Sequence, residues 1–348
     1  MKIAYVSFEN PGNHSGVGKK IQTQVEVWRK LGHTVCNFVI SNESLPSTSD
    51  IQYIGCRYVK HPYLLGASTA FKLHRALSLY KPDTIYCRQM LWWPLLTWSL
   101  NVAPLILEIN SKDLAEYKHG KKIKYLLHFF TRGYLFKAAA GVVSVTEEIE
   151  RYLPFHKHKI VIGNGYDFTA TIPRLRPHNE RPQLIFVGSP GQSWHGVDKI
   201  IRLAKFCPEY DFNVVVPGFF ADAEQNVKFH GGLYGKELED LYKKMDVAIG
   251  SLALHRNNMS DATPLKTREY LAYGIPVVAG YHDPDLVGCD YFLNIGNFED
   301  NVECGVQQIV SFVELWITKS ISLEDVRRRL SHDVKELQRL NFMKLIAT

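Results

Sequence analysis

The sequence predicts an α/β protein with two doubly wound, Rossmann-like domains. Short β-rich runs alternate with helix-like stretches, which is the pattern of parallel strands joined by crossover helices. A proline- and arginine-containing stretch near the middle of the chain interrupts this alternation, which then starts again. The length of 348 residues also fits two domains of about 150 residues each.

Seven strands are predicted in the first half of the chain, with helices in the gaps between them. These strands are residues 2–8, 34–40, 52–59, 83–88, 105–110, 141–145 and 159–162. The first helix is predicted by apolar residues at spacings of three and four, with Gly32 as its stop. Those apolar residues are Val17, Ile21, Val25, Trp28 and Leu31.

The second half contains five further predicted strands, separated by helices. They are residues 183–188, 213–216, 246–250, 276–280 and 291–295. We therefore expect an N-terminal domain over residues 1–166, a linker over 167–182 and a C-terminal domain over 183–322. The charged, helical residues 323–348 form a last segment, for which we consider packing against the N-terminal domain. In such folds ligands bind at the carboxyl ends of the strands, so the chemistry is expected there.

Composition and charge exclude several classes of protein. With 46% hydrophobic and 12% aromatic residues, the chain is neither disordered nor of low complexity. The six cysteines are scattered without a Cys-x-x-Cys pair, so neither a disulfide framework nor structural zinc is expected. The apolar run at the N-terminus is too short for a signal peptide or a membrane span, which indicates the cytoplasm. A net charge of +6 suits anionic ligands or a membrane surface, not a nucleic-acid interface.

The most informative segment spans residues 260–278. Thr263 is predicted as an N-cap and Pro264 as the first helical residue. The free N–H groups of the first turn would form an anion site, to which Lys266 adds a full charge. Glu269 lies three residues further and shares the face of Lys266, where its carboxylate can accept from both hydroxyls of a ribose. The alternative from the residues alone is an i,i+3 pair on a solvated helix face.

This segment resembles the large retaining glycosyltransferase family four, which has the GT-B fold of two facing Rossmann-like domains with a cleft between them. The Glu-x7-Glu motif of that family falls on Asp261 and Glu269, and the residues after Glu269 match its continuation. The resemblance implies that Glu269 holds the ribose and that Asp261 touches the donor sugar. It implies a catalytic set of Lys266, Asp261 and His195, with Leu265 in the donor site at the start of the helix.

Residues 186–198 are similar to the strand, loop and helix that bind the diphosphate in this family. The family usually has an arginine and a lysine where this chain has Ser189 and His195. His195 can act as a hydrogen-bond donor, or more strongly if the diphosphate raises its pKa; capping of the helix at Gly196 is the alternative. Arg256 is a further candidate cation, although a lone arginine in a loop usually meets only solvent.

Three more segments match parts of the donor or acceptor site of the family. The loop that carries His14 and Gly16 fits neither a P-loop nor a dinucleotide fingerprint, but resembles the Gly-rich loop that approaches the donor phosphate or acceptor. Asn110 stands where the family usually has a histidine that touches the donor sugar, with Glu108 two residues before it; tying down a loop is the alternative for both. Leu233 lies in a loop that matches the one whose backbone contacts the base in the family.

The resemblance implies transfer with retention of configuration, without a metal or another cofactor, by front-face attack on the donor. Asp283-Pro284-Asp285 has the appearance of an Asp-x-Asp metal motif, but it follows a strand as a turn would, and we interpret it as a turn. No pair of carboxylates spaced for glycoside hydrolysis is visible.

The acceptor side is expected in the N-terminal domain. Residues 118–137 mix basic and aromatic side chains in a helix-like stretch, which predicts contact with an anionic membrane surface; a core-packed helix with lysines on its wet face is the alternative. The expected partners are then a nucleotide-diphosphate sugar and a glycan or lipid-linked acceptor at the inner face of the membrane. These partners imply a role in surface polysaccharide assembly, and no nucleic-acid partner is expected. A nucleotide-sugar epimerase of similar fold and a non-catalytic binding module remain as alternatives.

Overall fold

The computed structural model describes residues 1–10, 16–42, 45–56, 66–114, 122–153, 158–169, 171–175 and 177–347. The chain divides into two compact units. Unit 1 contains Met1–Gly163 and His332–Thr348, and unit 2 contains Asn164–Ser331. The predicted residues 57–59 of the third strand and His14 lie outside the described residues.

Unit 1 is built on a seven-stranded sheet in the order β3-β2-β1-β4-β5-β6-β7, in which every neighbouring pair is parallel. The strands are β1 (Lys2–Ser7), β2 (Thr34–Ser41), β3 (Ile51–Gly55), β4 (Thr84–Arg88), β5 (Leu105–Ile109), β6 (Gly141–Ser144) and β7 (Lys159–Val161). The helices are α1 (Gly16–Lys30), α2 (Ala67–Tyr80), α3 (Leu96–Ser99), α4 (Lys122–Ala138), α5 (Glu147–Tyr152) and, at the end of the chain, α11 (His332–Ala347). The central strands are buried because helices cover both faces of such a sheet.

Unit 2 repeats the same plan with six parallel strands in the order β10-β9-β8-β11-β12-β13. The strands are β8 (Gln183–Val187), β9 (Asp211–Val215), β10 (Val227–Phe229), β11 (Val247–Ile249), β12 (Val277–Ala279) and β13 (Phe292–Asn294). The helices are α6 (Val197–Phe206), α7 (Gly235–Tyr242), α8 (Leu265–Ala272), α9 (Asn301–Trp316) and α10 (Leu323–Leu330). Both sheets have the strand order of a doubly wound Rossmann fold.

The predicted strands are all present among the described residues, and the sequence missed one. The missed strand, β10, has only three residues and is partly exposed at the edge of its sheet, so it carries no run of buried apolar residues. The first helix ends at Lys30 as expected, with Gly32 at a φ of 83°. That backbone conformation favours glycine.

The structure assigns the predicted linker and the predicted C-terminal segment to the two units. The residues expected to form a linker belong to unit 2, because the Arg174 N–H donates to the Tyr273 carbonyl at 2.9 Å and Asn179 Nδ2 donates to the Lys244 carbonyl at 2.8 Å. The C-terminal segment is two helices separated at Ser331. Of these, α10 belongs to unit 2 and α11 to unit 1.

Buried polar contacts attach α11 to unit 1. Arg339 is fully buried and donates through Nη2 to the carbonyls of Ile162 and Gly163, each at 3.2 Å. Its Nη1 donates to Glu336 Oε1 at 2.6 Å, and the other oxygen of Glu336 accepts from Trp28 Nε1 at 2.9 Å. The end of the chain is therefore an integral part of the first unit.

The outer face of α4 is apolar. Ile123, Leu126, Leu127, Phe130 and Tyr134 are exposed at spacings of three and four, so they form one stripe along the helix. The opposite face is packed into unit 1 through Leu135 and Phe136. The helix is thus packed into unit 1, as the alternative from the sequence has it, and its outer face carries apolar side chains as well as lysines. Within the described part of the chain, none of the helices has the length and apolar character needed to cross a bilayer.

Candidate functional site

The start of α8 forms the centre of the candidate site. The sequence predicted Thr263 as its N-cap, but Pro264 occupies the cap position with extended backbone, and the helix begins at Leu265. Thr263 is instead held by Asn164, whose Nδ2 donates to the Thr263 carbonyl at 2.7 Å. Pro264 makes no side-chain capping hydrogen bond. The N–H groups of the first turn, Leu265 included, are therefore left without a side-chain cap.

Lys266 is a buried cation without a counter-ion. Its side chain is half-buried, but Nζ is inaccessible to solvent and has no hydrogen-bond partner among the described residues. The Nζ atom lies 4.4 Å from the centre of the Phe186 ring at the end of β8. Burial lowers the pKa of the amine to about 7.

His195 packs beside Lys266 and is neutral. Its ring lies 5.4 Å from that of Phe186, and Nδ1 has no hydrogen-bond partner among the described residues. Burial and the Lys266 ammonium lower the pKa of His195 to about 3, although a backbone interaction with Ser189 opposes this. At neutral pH His195 therefore offers a hydrogen-bonding group and not a second cation.

Two neighbouring glycines decide how His195 is placed. A Cβ at Gly188 would lie 2.8 Å from His195 Nδ1 and 2.6 Å from the Phe186 ring, so only glycine lets the loop approach this closely. Gly196 is the N-cap of α6 with a φ of 70° and receives no side-chain capping bond. Nδ1 of His195 has no hydrogen-bond partner among the described residues, and its ring interacts with the Ser189 backbone, so neither observation places it as a cap of this helix.

Glu269 lies one turn further along α8, among tyrosines. Tyr242 Oη donates to Glu269 Oε2 at 3.3 Å. Burial and the Glu269 carboxylate both raise the pKa of Tyr166 and of Tyr242. The helix is fixed to β8 because the Val187 N–H donates to Tyr270 Oη at 2.7 Å. Glu269 is half-buried and so offers a carboxylate within a partly desolvated, polar surrounding.

Asp261 lies in the loop before α8 and interacts with His282. Its Oδ1 lies 3.1 Å from Nδ1 of His282, and the backbones of the two residues form an isolated β-bridge. The Asp261 side chain keeps 20% exposure. The acid is therefore oriented by the loop around His282 and stays accessible from outside.

The sequence analysis missed Arg268, whose side chain explains why two aspartates stand in the turn Asp283-Pro284-Asp285. The fully buried guanidinium pairs with both oxygens of Asp283, and it lies 2.8 Å from Asp285 Oδ2. Its Nε donates to the Asn164 carbonyl at 3.2 Å. Residues 284–286 form a single 3-10 turn capped by Asp283. The two aspartates are counter-ions, and among the residues that the structure describes there is no cluster of three or more side chains suited to a metal.

The remaining donor-side candidates are dispersed. Arg256 makes a bidentate pair with Asp198 at 2.8 Å and also pairs with Glu299, so its guanidinium is already engaged. It donates to the Ser193 carbonyl at 3.2 Å as well, which ties down the turn before His195. Ser189 is exposed after β8, and Leu233 is half-buried before α7. In unit 1, Gly16 is the exposed first residue of α1.

Glu108 is a buried counter-ion within unit 1, not the open contact that the sequence suggested. Lys20 Nζ donates to Glu108 Oε1 and to Asn110 Oδ1, each at 2.9 Å. Burial raises the pKa of Glu108, but Lys20, Arg339 and Arg88 outweigh it and hold the pKa well below its usual range. Burial lowers the pKa of Lys20 to about 8 despite its pairing with Glu108. Sequence reasoning missed Lys20, which lies in α1 four residues after Gly16 and is buried there.

Comparisons with known proteins identify the fold family through solved structures and not through the sequence. No family model matches the sequence, and no curated protein matches it either. A sucrose-phosphate synthase from Thermosynechococcus elongatus is similar in structure, with a TM-score of 0.76, 14% identity and coverage of 99% of this chain and 98% of that chain. The lipopolysaccharide outer core galactosyltransferase WaaB has a TM-score of 0.68 at 13% identity, with 99% of both chains covered.

A third similar structure is that of an enzyme of another class. The UDP-GlcNAc 2-epimerase from Neisseria meningitidis, bound to UDP-GlcNAc, has a TM-score of 0.53 at 12% identity, with 99% of this chain and all of that chain covered. At these identities the likeness concerns the fold. Together with the two parallel sheets, it shows that the chain has the GT-B fold.

Proposed function

We propose that this protein is a glycosyltransferase of family four that moves a sugar from a nucleotide-diphosphate sugar to a glycan or lipid-linked glycan. The observation that carries the proposal is the Lys266 ammonium, which is buried at an uncapped helix start in a GT-B fold and has no counter-ion among the described residues. A buried charge is costly unless it is paired. A diphosphate is the partner that such a cation and helix end accommodate together.

The donor would be held along α8. Lys266 and the first-turn amides from Leu265 onward bind the diphosphate, and Glu269 accepts hydrogen bonds from the ribose hydroxyls. Asp261 contacts hydroxyls of the donor sugar, and neutral His195 contributes a hydrogen bond near the phosphates. Hydrogen bonds to ionised groups contribute about 1.5–3 kcal/mol each, so Lys266 and Glu269 dominate the affinity.

Several other residues have smaller roles in this proposal. Ser189 and Leu233 contribute through the loops that carry them, and Gly16 contributes from the start of α1, near a phosphate or an acceptor. Arg256 is assigned a positioning role for the His195 turn, because both of its carboxylate partners already neutralise its charge.

The transfer proceeds with retention of configuration and without a metal ion. The bond between the anomeric carbon and the diphosphate oxygen breaks, and both electrons stay on that oxygen. The acceptor oxygen forms the new bond to the anomeric carbon on the same face, and its proton passes to an oxygen of the departing diphosphate. Lys266 stabilises the negative charge that builds on the leaving oxygen.

The acceptor is assigned to unit 1 and to a membrane surface, in surface polysaccharide assembly at the cytoplasmic face. The support is the exposed apolar stripe on α4, in which Ile123 is 76% and Phe130 is 74% exposed. Lys124 and Lys137 lie on the same helix. An apolar face with basic residues beside it favours the interface of an anionic bilayer, where a lipid-linked acceptor would be found.

A nucleotide-sugar epimerase is the second candidate, because an epimerase is among the similar structures. The two activities differ in their need for an acceptor. An epimerase converts the sugar of the donor, or releases the nucleotide, when no acceptor is present. A transferase gives a sugar–acceptor product only when an acceptor is added. Product analysis with and without a pooled glycan acceptor therefore separates the two.

The proposal is tested by thermal stabilisation with a panel of nucleotide sugars, since a ligand that binds only the folded state raises its stability. At least one donor should stabilise the protein. Glu269→Gln should raise KM for that donor about tenfold or more with little change in kcat, whereas Lys266→Met should lower kcat as well. Lys319→Met, on an exposed lysine of unit 2, should change neither. No stabilisation by any donor, or equal small effects of both variants, would refute the proposed site.

A further inference from the structure

Asn164 is the first residue of unit 2 along the chain, and both its side chain and its backbone contact the start of α8. Its Nδ2 donates to the Thr263 carbonyl at 2.7 Å, directly before the cap residue Pro264. Its own carbonyl accepts from Arg268 Nε at 3.2 Å, one turn into the helix. One residue, 99 positions before Thr263 in the sequence, therefore contacts the helix start at two points.

The hydrogen bond to the Thr263 carbonyl fixes the direction in which α8 starts. The ring of Pro264 sets its own φ and restricts Thr263 to extended backbone. The freedom that is left is rotation of the peptide plane between these two residues, and Asn164 holds the carbonyl of that plane. Thr263 is buried, where a hydrogen bond is stronger than in water. The orientation of the first turn of α8 therefore depends on Asn164.

The two faces of α8 have different tasks. Thr267 and Arg268 are fully buried. Thr267 Oγ1 lies 2.5 Å from Tyr281 Oη, and the guanidinium of Arg268 is held by its counter-ions. At 3.6 residues per turn, Lys266 and Glu269 lie on the side opposite to these two residues. The helix is therefore anchored on one side and presents its cation and its carboxylate on the other.

The first turn carries the groups assigned to the diphosphate. The first hydrogen bond of the helix runs from the Thr267 N–H to the Pro264 carbonyl at 3.2 Å. The N–H groups of Leu265 and Lys266 come before it and have no intrahelical acceptor, as in any helix. A change in the direction of this turn would move both N–H groups and the Lys266 side chain together. Glu269 would be less affected, because the helix is fixed to β8 at the next residue.

We propose that Asn164 is a positioning residue for the diphosphate of the donor. It acts through the Thr263 carbonyl on the first turn of α8, and not by contact with the donor. Donors that are held in place before the ligand arrives bind it with a smaller loss of entropy, so the hydrogen bond contributes to affinity although it lies outside the site. This inference rests on the proposed function, because it concerns the same diphosphate site.

The test replaces Asn164 by leucine, which has a similar volume and lacks the Nδ2 donor. Asn164→Ala is the second variant, in case leucine is not accommodated. Calorimetry on folded protein measures Kd for uridine, adenosine, guanosine and thymidine diphosphate and for pyrophosphate. Both variants should bind the nucleotide that the wild type binds about tenfold more weakly. Pyrophosphate should lose affinity by the same factor, because it contacts only the first turn and Lys266.

Asn226→Leu is the matched control in unit 2. Asn226 Nδ2 donates to the main-chain carbonyls of Ala204, Cys207 and Tyr210 at 3.1, 3.0 and 2.9 Å, respectively. The residue lies directly before β10, at the amino ends of the strands, whereas α8 starts at their carboxyl ends. The control should therefore have a lower Tm but retain both affinities. A merely structural asparagine would behave in this way, so the contrast separates positioning from stability.

The failure of this inference differs from the failure of the proposed function. Wild-type affinities in both Asn164 variants would overturn the positioning role and leave the donor site. An equal loss of affinity in Asn226→Leu, or a loss for the nucleotide that pyrophosphate does not share, would overturn it as well. If the wild type bound none of the nucleotides and no pyrophosphate, the proposed function itself would be refuted, and the role of Asn164 with it.

Discussion

The ammonium of Lys266 rests on the face of the Phe186 ring, with 4.4 Å between Nζ and the ring centre. An aromatic face attracts a cation by about 0.5–2 kcal/mol, which is less than the cost of removing the charge from water. The neighbouring His195 is neutral and contributes no compensating charge. The unliganded protein therefore holds this cation at a cost that a bound anion would remove.

Replacement of Lys266 by methionine should make the unliganded protein more stable. The pKa of the folded lysine is about 7, below its ordinary value of 10.5, so the folded state disfavours the proton that the unfolded chain binds. Lys266→Met should raise the free energy of unfolding by about 2–4 kcal/mol below pH 7. The gain should shrink from pH 7 upward and vanish near pH 10.5, where both states of the lysine are neutral. Urea unfolding at pH 6, 8 and 10 measures this, and a destabilised variant at pH 6 would contradict it.

Donor affinity should depend on pH through the same lysine. Below pH 7 the amine of the free protein is already protonated, and the affinity should be constant. Above pH 7 a proton must be taken up on binding, so Kd should rise about tenfold per pH unit until the pKa of the complex is reached. Calorimetry at pH 8 in two buffers of different ionisation enthalpy should detect uptake of close to one proton. The dependence should be absent from Lys266→Met, and a flat profile in the wild type would count against a bound diphosphate at Nζ.

Arg268→Met should destabilise unit 2 strongly without touching the substrate directly. The substitution leaves Asp283 and Asp285 without their cation in a buried site, which typically costs about 3–5 kcal/mol. Burial already raises the pKa of Asp283 against the opposing effect of Arg268, so the loss should be smaller at acid pH, where Asp283 can take up a proton. Adding Asp283→Asn should recover part of the lost stability. A single variant as stable as the wild type in urea would show that the pair is dispensable.

Membrane contact should depend on the apolar stripe of α4. Ile123→Ser with Phe130→Ser should reduce flotation with vesicles that contain anionic lipid, because it removes two exposed apolar side chains from the proposed interface. The matched control is Ile172→Ser with Phe220→Ser in unit 2, whose side chains are 77% and 71% exposed. Only the first variant should lose binding. If both bind as well as the wild type, or if the wild type does not float, the membrane assignment is wrong.

Local sequence patterns predicted most of the fold. The alternation of β-rich and helical segments predicted the strands of both sheets. This works because buried strands and amphipathic helices carry different patterns of apolar residues, which can be recognised in the sequence. The edge strand β10 was missed because three partly exposed residues carry no such pattern. Packing of the C-terminal segment on the N-terminal domain was considered from the sequence. Its division at Ser331, and the hydrogen bonds from Arg339 to the carbonyls of Ile162 and Gly163, needed the fold.

The candidate site was predicted in part. The segment with Lys266 and Glu269 could be found because both residues lie on one helix, whose start is signalled by proline. The helix start was predicted one residue early, because the hydrogen bonds from Asn164 that hold Thr263 come from a distant part of the sequence. Glu108 was expected at an open strand end but is covered and paired with Lys20, a contact between residues far apart in sequence.

The sequence by itself determined the elements of this protein and the residues available for chemistry, since propensity, periodicity and capping act over a few neighbouring residues. Only the tertiary structure decided which charges are compensated. Arg268 and Glu108 received partners from other elements, whereas Lys266 received an aromatic ring and, in the part of the chain that the structure describes, no anion. That difference arises because burial and pairing depend on side chains that folding brings together from distant positions, and those decide whether a charge stabilises the fold or remains for a ligand.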